Sequence, residues 1–387
     1  MSLLIKSLLV LLYCCNICVA QDNFDKFRQE QLKELQGMSI ENDAYSASVT
    51  LEIQSYLDEQ SRLFEAYKTE VENKWDAFKA SSQSIFVVYE DNFNTRSTVD
   101  FEKGEVTIEV LVEDNSTNST TDKRKTSEQS LEKALKRLLN QKAGDKQALL
   151  KDQLLTGSGK KVTSKDAGQF ARNTIAAKTV KNMPRKAKDG VSRVKYVVKV
   201  KMVPNHIEVR AKRFKTDILK QSKRFDIDPA VAFAIMQTES YFNPMARSHV
   251  PAYGLMQLVP KSGARDAYQY VYKKDRLLKD TYLYNTGNNI ELGCAYISKL
   301  RHVYFKNIEN DRSAYYCTIS AYNTGPGNVA KAFTGGTKLG PTAKAVNSLA
   351  PDQVYRNLLN NLPYKETKDY LAKVNSRVEN YQAWKKW

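Results

Sequence analysis

One carboxylate in this chain is prepared for proton transfer by its own neighbours. Glu239 stands near the end of the stretch Asp228 to Asn243, DPAVAFAIMQTESYFN, where Ala230, Val231, Phe233, Ala234, Ile235 and Met236 leave almost no polar face before it. Asp228 is a good N-cap and Pro229 suits the first helical position, so the stretch predicts a short buried helix that Asn243-Pro244 closes. A carboxyl in the last turn of such a helix is desolvated and faces the negative end of the helix dipole. Both effects disfavour the ionised form. The expected result is a Glu that keeps its proton near neutral pH, as a general acid must. The plain alternative is a solvated acid at a helix end.

Three polar clusters follow in order. Tyr253-Gly254-Leu255-Met256-Gln257-Leu258 holds a glycine whose missing Cβ permits a close backbone approach. Ser320-Ala321-Tyr322-Asn323-Thr324-Gly325-Pro326-Gly327 ends an apolar helix at a Gly-Pro-Gly corner, where a ring and an amide either meet a ligand or simply pack and close the helix. Glu366-Thr367-Lys368-Asp369-Tyr370 comes last. His206, His249 and His302 are scattered without ligand spacing, and no phosphate loop, Ser/His/Asp set or Cys/His set stands out, so neither metal nor cofactor is expected.

The elements that must position these residues make two domains, as 387 residues suggest. Residues 1–20 read as a secretory signal peptide, with Lys6, an apolar run from Leu8 to Leu12 and Cys18-Val19-Ala20 at the cleavage site. A periplasmic location follows. Cys14, Cys15 and Cys18 lack the small residues that precede a lipidated cysteine, so cleavage after Ala20 is favoured over a lipid anchor in the outer membrane. Cys294 and Cys317 are the two cysteines left, and they read equally as a disulfide or as two small buried side chains on neighbouring helices. The net charge of +17 suggests an anionic partner, and export argues against nucleic acid.

Residues 21–203 predict an α+β domain. Phe64, Tyr67, Val71, Trp75 and Phe78 form a helical stripe within a helical pattern from Phe24 to Ala80. The period then becomes two: a strand from Ile85 to Tyr89, a hairpin turning near Gly104, and a later strand from Val194 to Met202 predict an antiparallel curved sheet. Glu105, Glu109 and Glu113 face Lys195, Lys199 and Lys201 in this reading. Asn115 and Asn118 sit in sequons of a polar loop, Thr126 and Gln129 form a capping box, and Gly157 to Gly190 reads as a mobile or surface-lying basic segment. Residues 204–387 read as all-α, opening with a helix capped by Asn205 and Glu208 that runs through Phe214 and Ile218.

The quoted motifs, with Gln237-Thr238-Glu239-Ser240 first, resemble in their order those of lytic transglycosylases of the soluble-lytic-transglycosylase, lysozyme-like type, over Asn205 to Tyr381. The first domain looks like the N-terminal half of the membrane-bound murein transglycosylase C group. The resemblance implies cleavage of the β-1,4 bond between N-acetylmuramic acid and N-acetylglucosamine in peptidoglycan glycan strands, giving a 1,6-anhydro sugar without water. It implies Glu239 as acid and then base, and Tyr370 as the hydroxyl that orients it. Ser240 would position the acetamido group or the backbone near the acid. Tyr253, Gly254, Met256, Gln257, Tyr322 and Asn323 would line the cleft. Ordinary glycosidases use two carboxylates, about 5 to 5.5 Å apart or about 6.5 to 9.5 Å apart. A single acid suits internal attack by the substrate's own hydroxyl. The competing readings are a goose-type lysozyme-like hydrolase and a non-catalytic peptidoglycan-binding scaffold.

Overall fold

Alternation of apolar residues builds the sheet that the first part of the chain is organised on. The computed structural model describes residue 59 and residues 62–114, 119–177, 181–248 and 252–384. The strands are β1 (Ile85–Glu90), β2 (Thr95–Asp100), β3 (Glu105–Glu113), β4 (Lys181–Lys186) and β5 (Ser192–Lys201). They form one five-stranded antiparallel sheet in the order β1-β2-β3-β5-β4. Val106, Ile108 and Val110 oppose Val200, Val198 and Tyr196, so apolar residues meet apolar residues across β3 and β5. Gly104, at φ 63°, makes the expected turn between β2 and β3, and a Cβ there would strike the His206 ring.

The expected acid-to-lysine pairing across β3 and β5 forms at Glu105, which holds Lys199 at 2.7 Å and Lys201 at 2.9 Å. Glu109 keeps a looser contact with Lys195 at 4.0 Å and takes its closest partner from β2, where Arg96 directly opposite it bonds at 2.6 Å and 2.8 Å. The helix before the sheet ends at residue 74, so the periodic stripe outlasts it. Trp75 follows the helix yet still packs with Val71, Val87, Tyr89 and Leu111.

Two local expectations are corrected. The helix predicted to start at Thr126 begins earlier, at Thr120, because Ser119 caps it by accepting from the Asp122 amide at 3.1 Å. The basic stretch Gly157 to Gly190 is not a plain connector: it holds a helix, Ala167–Ala177, and the edge strand β4. Ala167, Phe170, Ala171 and Ile175 are buried at helical spacing, and Pro184 is tolerated on an edge that leaves one side of the strand unpaired. The leader, residues 21–58, and Asn115 and Asn118 lie outside the described residues. Among the described residues no helix is long and apolar enough to cross a membrane.

The chain divides into two units, Met1–His206 with Ala246–Pro251, and Ile207–Met245 with Ala252–Trp387. The described part of the second unit is helical. Its opening helix breaks at Phe214, giving His206–Arg213 and Lys215–Arg224 where one helix was expected. The helix Pro229–Ser240 lies inside the core, packed against Lys215–Arg224, Lys365–Val378 and the last turn Glu379–Trp384.

Cys294 and Cys317 are both free thiols, which sets aside the disulfide alternative. They sit in helices Thr286–Lys299 and Asp311–Thr324 and are fully buried as small apolar side chains. Desolvation pushes the Cys294 thiol up to about 12 and that of Cys317 higher still.

Candidate functional site

The helix Pro229–Ser240 forms as its residues dictate. Asp228 accepts from the Ala230 amide at 2.8 Å, Pro229 occupies the first position, and Tyr241 ends the helix in the left-handed region. Ten of its residues are buried, Glu239 among them at 7% exposure. Burial pushes the Glu239 carboxyl up to about 8; a hydrogen bond from Tyr370 opposes that shift and the Glu366 charge adds to it. The Tyr370 hydroxyl donates to Glu239 Oε1 at 2.7 Å. Among the described residues no Lys, Arg or His forms an ion pair with the carboxyl, so nothing cationic stabilises its charge there.

The other motifs meet around this helix. Ser240 is fully buried, and its hydroxyl donates to Leu255 O at 2.7 Å and to Met236 O at 3.1 Å, tying the turn 253–258 to the helix. Tyr253 and Leu258 bridge across that turn. Tyr322, half-buried, donates to Met256 O at 2.8 Å and sets its ring 5.4 Å from that of Tyr296. Asn323 Oδ1 accepts from the buried Thr367 hydroxyl at 2.7 Å. Glu239, Tyr322 and Tyr370 therefore converge from three helices. Both phenols are held well above their usual pKa by desolvation first and the nearby carboxyl second.

Two motif residues face inward rather than into a cleft. Gly254 has φ 76°, and a Cβ there would lie 2.7 Å from Leu283 O and also strike the Asn289 amide, so the close approach it permits is internal. Met256 is fully buried, its sulfur filling the space above Gly293 where a Cβ would collide with it. Gln257 is left-handed at φ 46° and buried, with Nε2 donating to Gly254 O at 2.9 Å. Among the described residues its buried Oε1 has no hydrogen-bond partner.

Some contributors were not singled out from the sequence. Asn289 accepts from the Met256 amide and donates to Tyr253 O and Leu283 O, each at 2.8 Å, fixing the whole turn. Nothing in its local pattern marks it. Glu366, quoted in the last motif without a role, acts on Glu239 through space from one helical turn before Tyr370. Gly293 was equally silent.

The chain matches the Transglycosylase SLT domain over residues 217–341 and the Membrane-bound lytic murein transglycosylase C, N-terminal domain, over residues 50–213. It is 31% identical over 326 residues to the membrane-bound lytic murein transglycosylase C of Klebsiella pneumoniae, covering 81% of this chain and 86% of the relative. The protein of that description from Pectobacterium atrosepticum is 32% identical over 322 residues, covering 82% and 88%. Among solved structures, an inactive mutant of the lytic transglycosylase Slt from Pseudomonas aeruginosa is similar at 28% identity and a TM-score of 0.34, over 43% of this chain and 24% of that one.

Proposed function

Because this chain belongs to the membrane-bound lytic murein transglycosylase C family, we propose that it is a peptidoglycan lytic transglycosylase in which Glu239 acts first as acid and then as base. One observation carries the assignment: a buried carboxyl that, among the described residues, meets no cation, is pushed up to about 8 and is held by the Tyr370 phenol. Such a group is mostly protonated at neutral pH and can give its proton to a leaving oxygen.

The reaction then balances within the substrate. The Glu239 proton passes to the glycosidic oxygen of the N-acetylglucosamine unit as the bond from C1 of N-acetylmuramic acid breaks, and the substrate's acetamido group stabilises the cation. The carboxylate, desolvated and strongly basic, takes the proton of the 6-hydroxyl while that oxygen bonds to C1. A 1,6-anhydro sugar forms, Glu239 is protonated again, and no water is consumed. The Tyr370 hydrogen bond stabilises the carboxylate between the two proton transfers. Glu366 acts on Glu239 through its charge, and the reading gives it no step in the reaction.

The remaining residues divide between two tasks. Gln257 offers a buried carbonyl oxygen to a sugar hydroxyl or amide, and Asn323, whose oxygen is taken by Thr367, offers its amide nitrogen. Tyr253 and Tyr322 supply rings beside them. Ser240, Gly254 and Met256 hold the turn that presents Gln257. The relatives' description as membrane-bound supports a cell-envelope location for this chain. We assign export to residues 1–20, the α+β domain to 21–203 and the catalytic domain to 204–387, with periplasmic glycan strands as the partner.

Mass spectrometry of digested peptidoglycan tests the reading. Products should be one water lighter than reducing muropeptides, and Glu239→Gln should cut their release by about 10²- to 10⁴-fold. Full reducing ends would indicate the hydrolase instead, and undiminished release by Glu239→Gln would remove Glu239 from its role.

A further inference from the structure

The helix that carries Glu239 ends in a strained turn held from several sides. Tyr241 and Phe242 are both left-handed, at φ 50° and 60°, a region unfavourable for any residue with a Cβ. Such a conformation persists only where its surroundings over-determine it. Arg210, buried in helix His206–Arg213, donates from Nε to Tyr241 O at 2.9 Å. Arg377 donates from Nη1 to Thr238 Oγ1 at 3.0 Å and from Nη2 to the Tyr241 hydroxyl at 2.9 Å. Its guanidinium lies 4.8 Å from the centre of the Tyr241 ring. Tyr381 donates to Gln237 Oε1 at 2.8 Å and sets its ring edge-on to Phe242. Residues 237, 238, 241 and 242 are therefore all held, and Glu239 lies between them.

Arg377 stands two helical turns after Tyr370 on Lys365–Val378, on the same face. One rigid element thus carries both the hydroxyl that reaches Glu239 and the fork that grips the turn beyond it. We propose that Arg377 is a positioning residue for Glu239, locking the turn Tyr241-Phe242 to the Tyr370 helix and so setting the distance between the Tyr370 hydroxyl and the carboxyl. Arg210 holds the same turn by its carbonyl.

The titratable groups that face the carboxyl are Tyr370 and Glu366 from Lys365–Val378 and Tyr322 from Asp311–Thr324, while Arg377 acts on Tyr370. Among the described residues, Lys215–Arg224 and Glu379–Trp384 contribute none. The Tyr370 hydrogen bond lowers the Glu239 pKa against burial, so loosening that bond raises it. Loss of Arg377 therefore moves the ionisation of Glu239 to higher pH, in the direction of Tyr370→Phe.

The proposal rests on Glu239 being the proton donor, and the test separates the two claims. In the full chain, the Glu239 carboxyl is followed by carbon-13 NMR, its signal assigned by its loss in Glu239→Gln, beside rates of glycan release across pH. Arg377→Met should raise the pH at which Glu239 titrates, shift the alkaline limb of the rate profile the same way, and lower kcat by about tenfold or more with KM within about twofold. Arg377→Lys keeps a charge but not the fork, and should restore thermal stability more than it restores the titration. A melting temperature lowered by Arg377→Met with the Glu239 titration unmoved would reduce Arg377 to a structural residue and overturn the proposal. If Arg377→Met does not fold, Thr238→Val with Tyr241→Phe removes the two acceptors; an unshifted titration there overturns it equally. A wild type that titrates normally but releases no glycan would refute the enzymatic reading, while the NMR shift still decides the clamp.

Discussion

Glu239 and Glu109 are buried to nearly the same degree, 7% and 4% exposed, yet their acidities move in opposite directions. Desolvation pushes both up. At Glu109 the Arg96 fork, bonded at 2.6 Å and 2.8 Å and assisted by Lys79 at 3.1 Å, outweighs it, and the carboxyl sits below its usual range. At Glu239 the opposing group is a neutral phenol, and the carboxyl rises to about 8. Burial alone does not make a proton donor; burial without a cation does. Glu109 is held charged within the sheet, while the surroundings of Glu239 keep its carboxyl protonated up to about pH 8.

The strongest way to break this contrast is to remove the cation. Arg96→Met should leave Glu109 with only Lys79 at 3.1 Å and Lys195 at 4.0 Å and destabilise the protein by about 3–5 kcal/mol in denaturant unfolding, since the lost fork carries most of what offsets the desolvation of the buried carboxyl. A loss below about 1 kcal/mol would mean that the pair is screened like a surface salt bridge.

The same substitution at the two sites should then have opposite signs. Glu109→Gln leaves Arg96 without its counter-charge and should cost about 2–4 kcal/mol at pH 9. Glu239→Gln should stabilise the protein on the order of 1–3 kcal/mol at that pH. The folded pKa of Glu239 lies above its ordinary 4.5, so the folded state holds a proton that the unfolded state has lost between pH 4.5 and about 8. Wild-type stability therefore falls through this group as pH rises across that window, and near pH 4 the stabilising effect of Glu239→Gln should vanish. The contribution of Glu109 runs the other way: it is present above 4.5 and lost as pH falls through its lowered folded pKa. Thermal melts of both variants from about pH 2.5 to about pH 9 read the two slopes, that of Glu109 below 4.5 and that of Glu239 above it, and parallel slopes would sink the comparison.

The smallest effect sharpens it. Tyr370→Phe removes the hydrogen bond that lowers the Glu239 pKa, so the alkaline limb of the rate profile should move to higher pH while kcat falls by about tenfold, near the worth of one hydrogen bond to a charged group. A limb that moves to lower pH would show that the phenol favours the protonated form instead.

Much of this was legible in the residues themselves. The Glu239 helix, its Asp228 cap and Pro229 start, the turn at Gly104 and the change from helical to strand period depend on neighbours a few residues apart, and local sterics and hydrogen bonding decide them. The burial of Glu239 followed from the apolar residues around it, and the direction of its acidity followed from burial. What local pattern could not specify was which distant group each side chain meets. Tyr370 reaches Glu239 across 131 residues, a pairing that only the family resemblance implied, and Asn289 reaches Met256 across 33, distances at which no periodicity survives. For that reason Gly254 and Met256, expected along a cleft, turned out to pack inward on Asn289, Leu283 and Gly293, and Glu109 took Arg96 as well as lysines. Local pattern sets the shape of each segment, and only the packing of whole segments sets the charge that each buried group can keep.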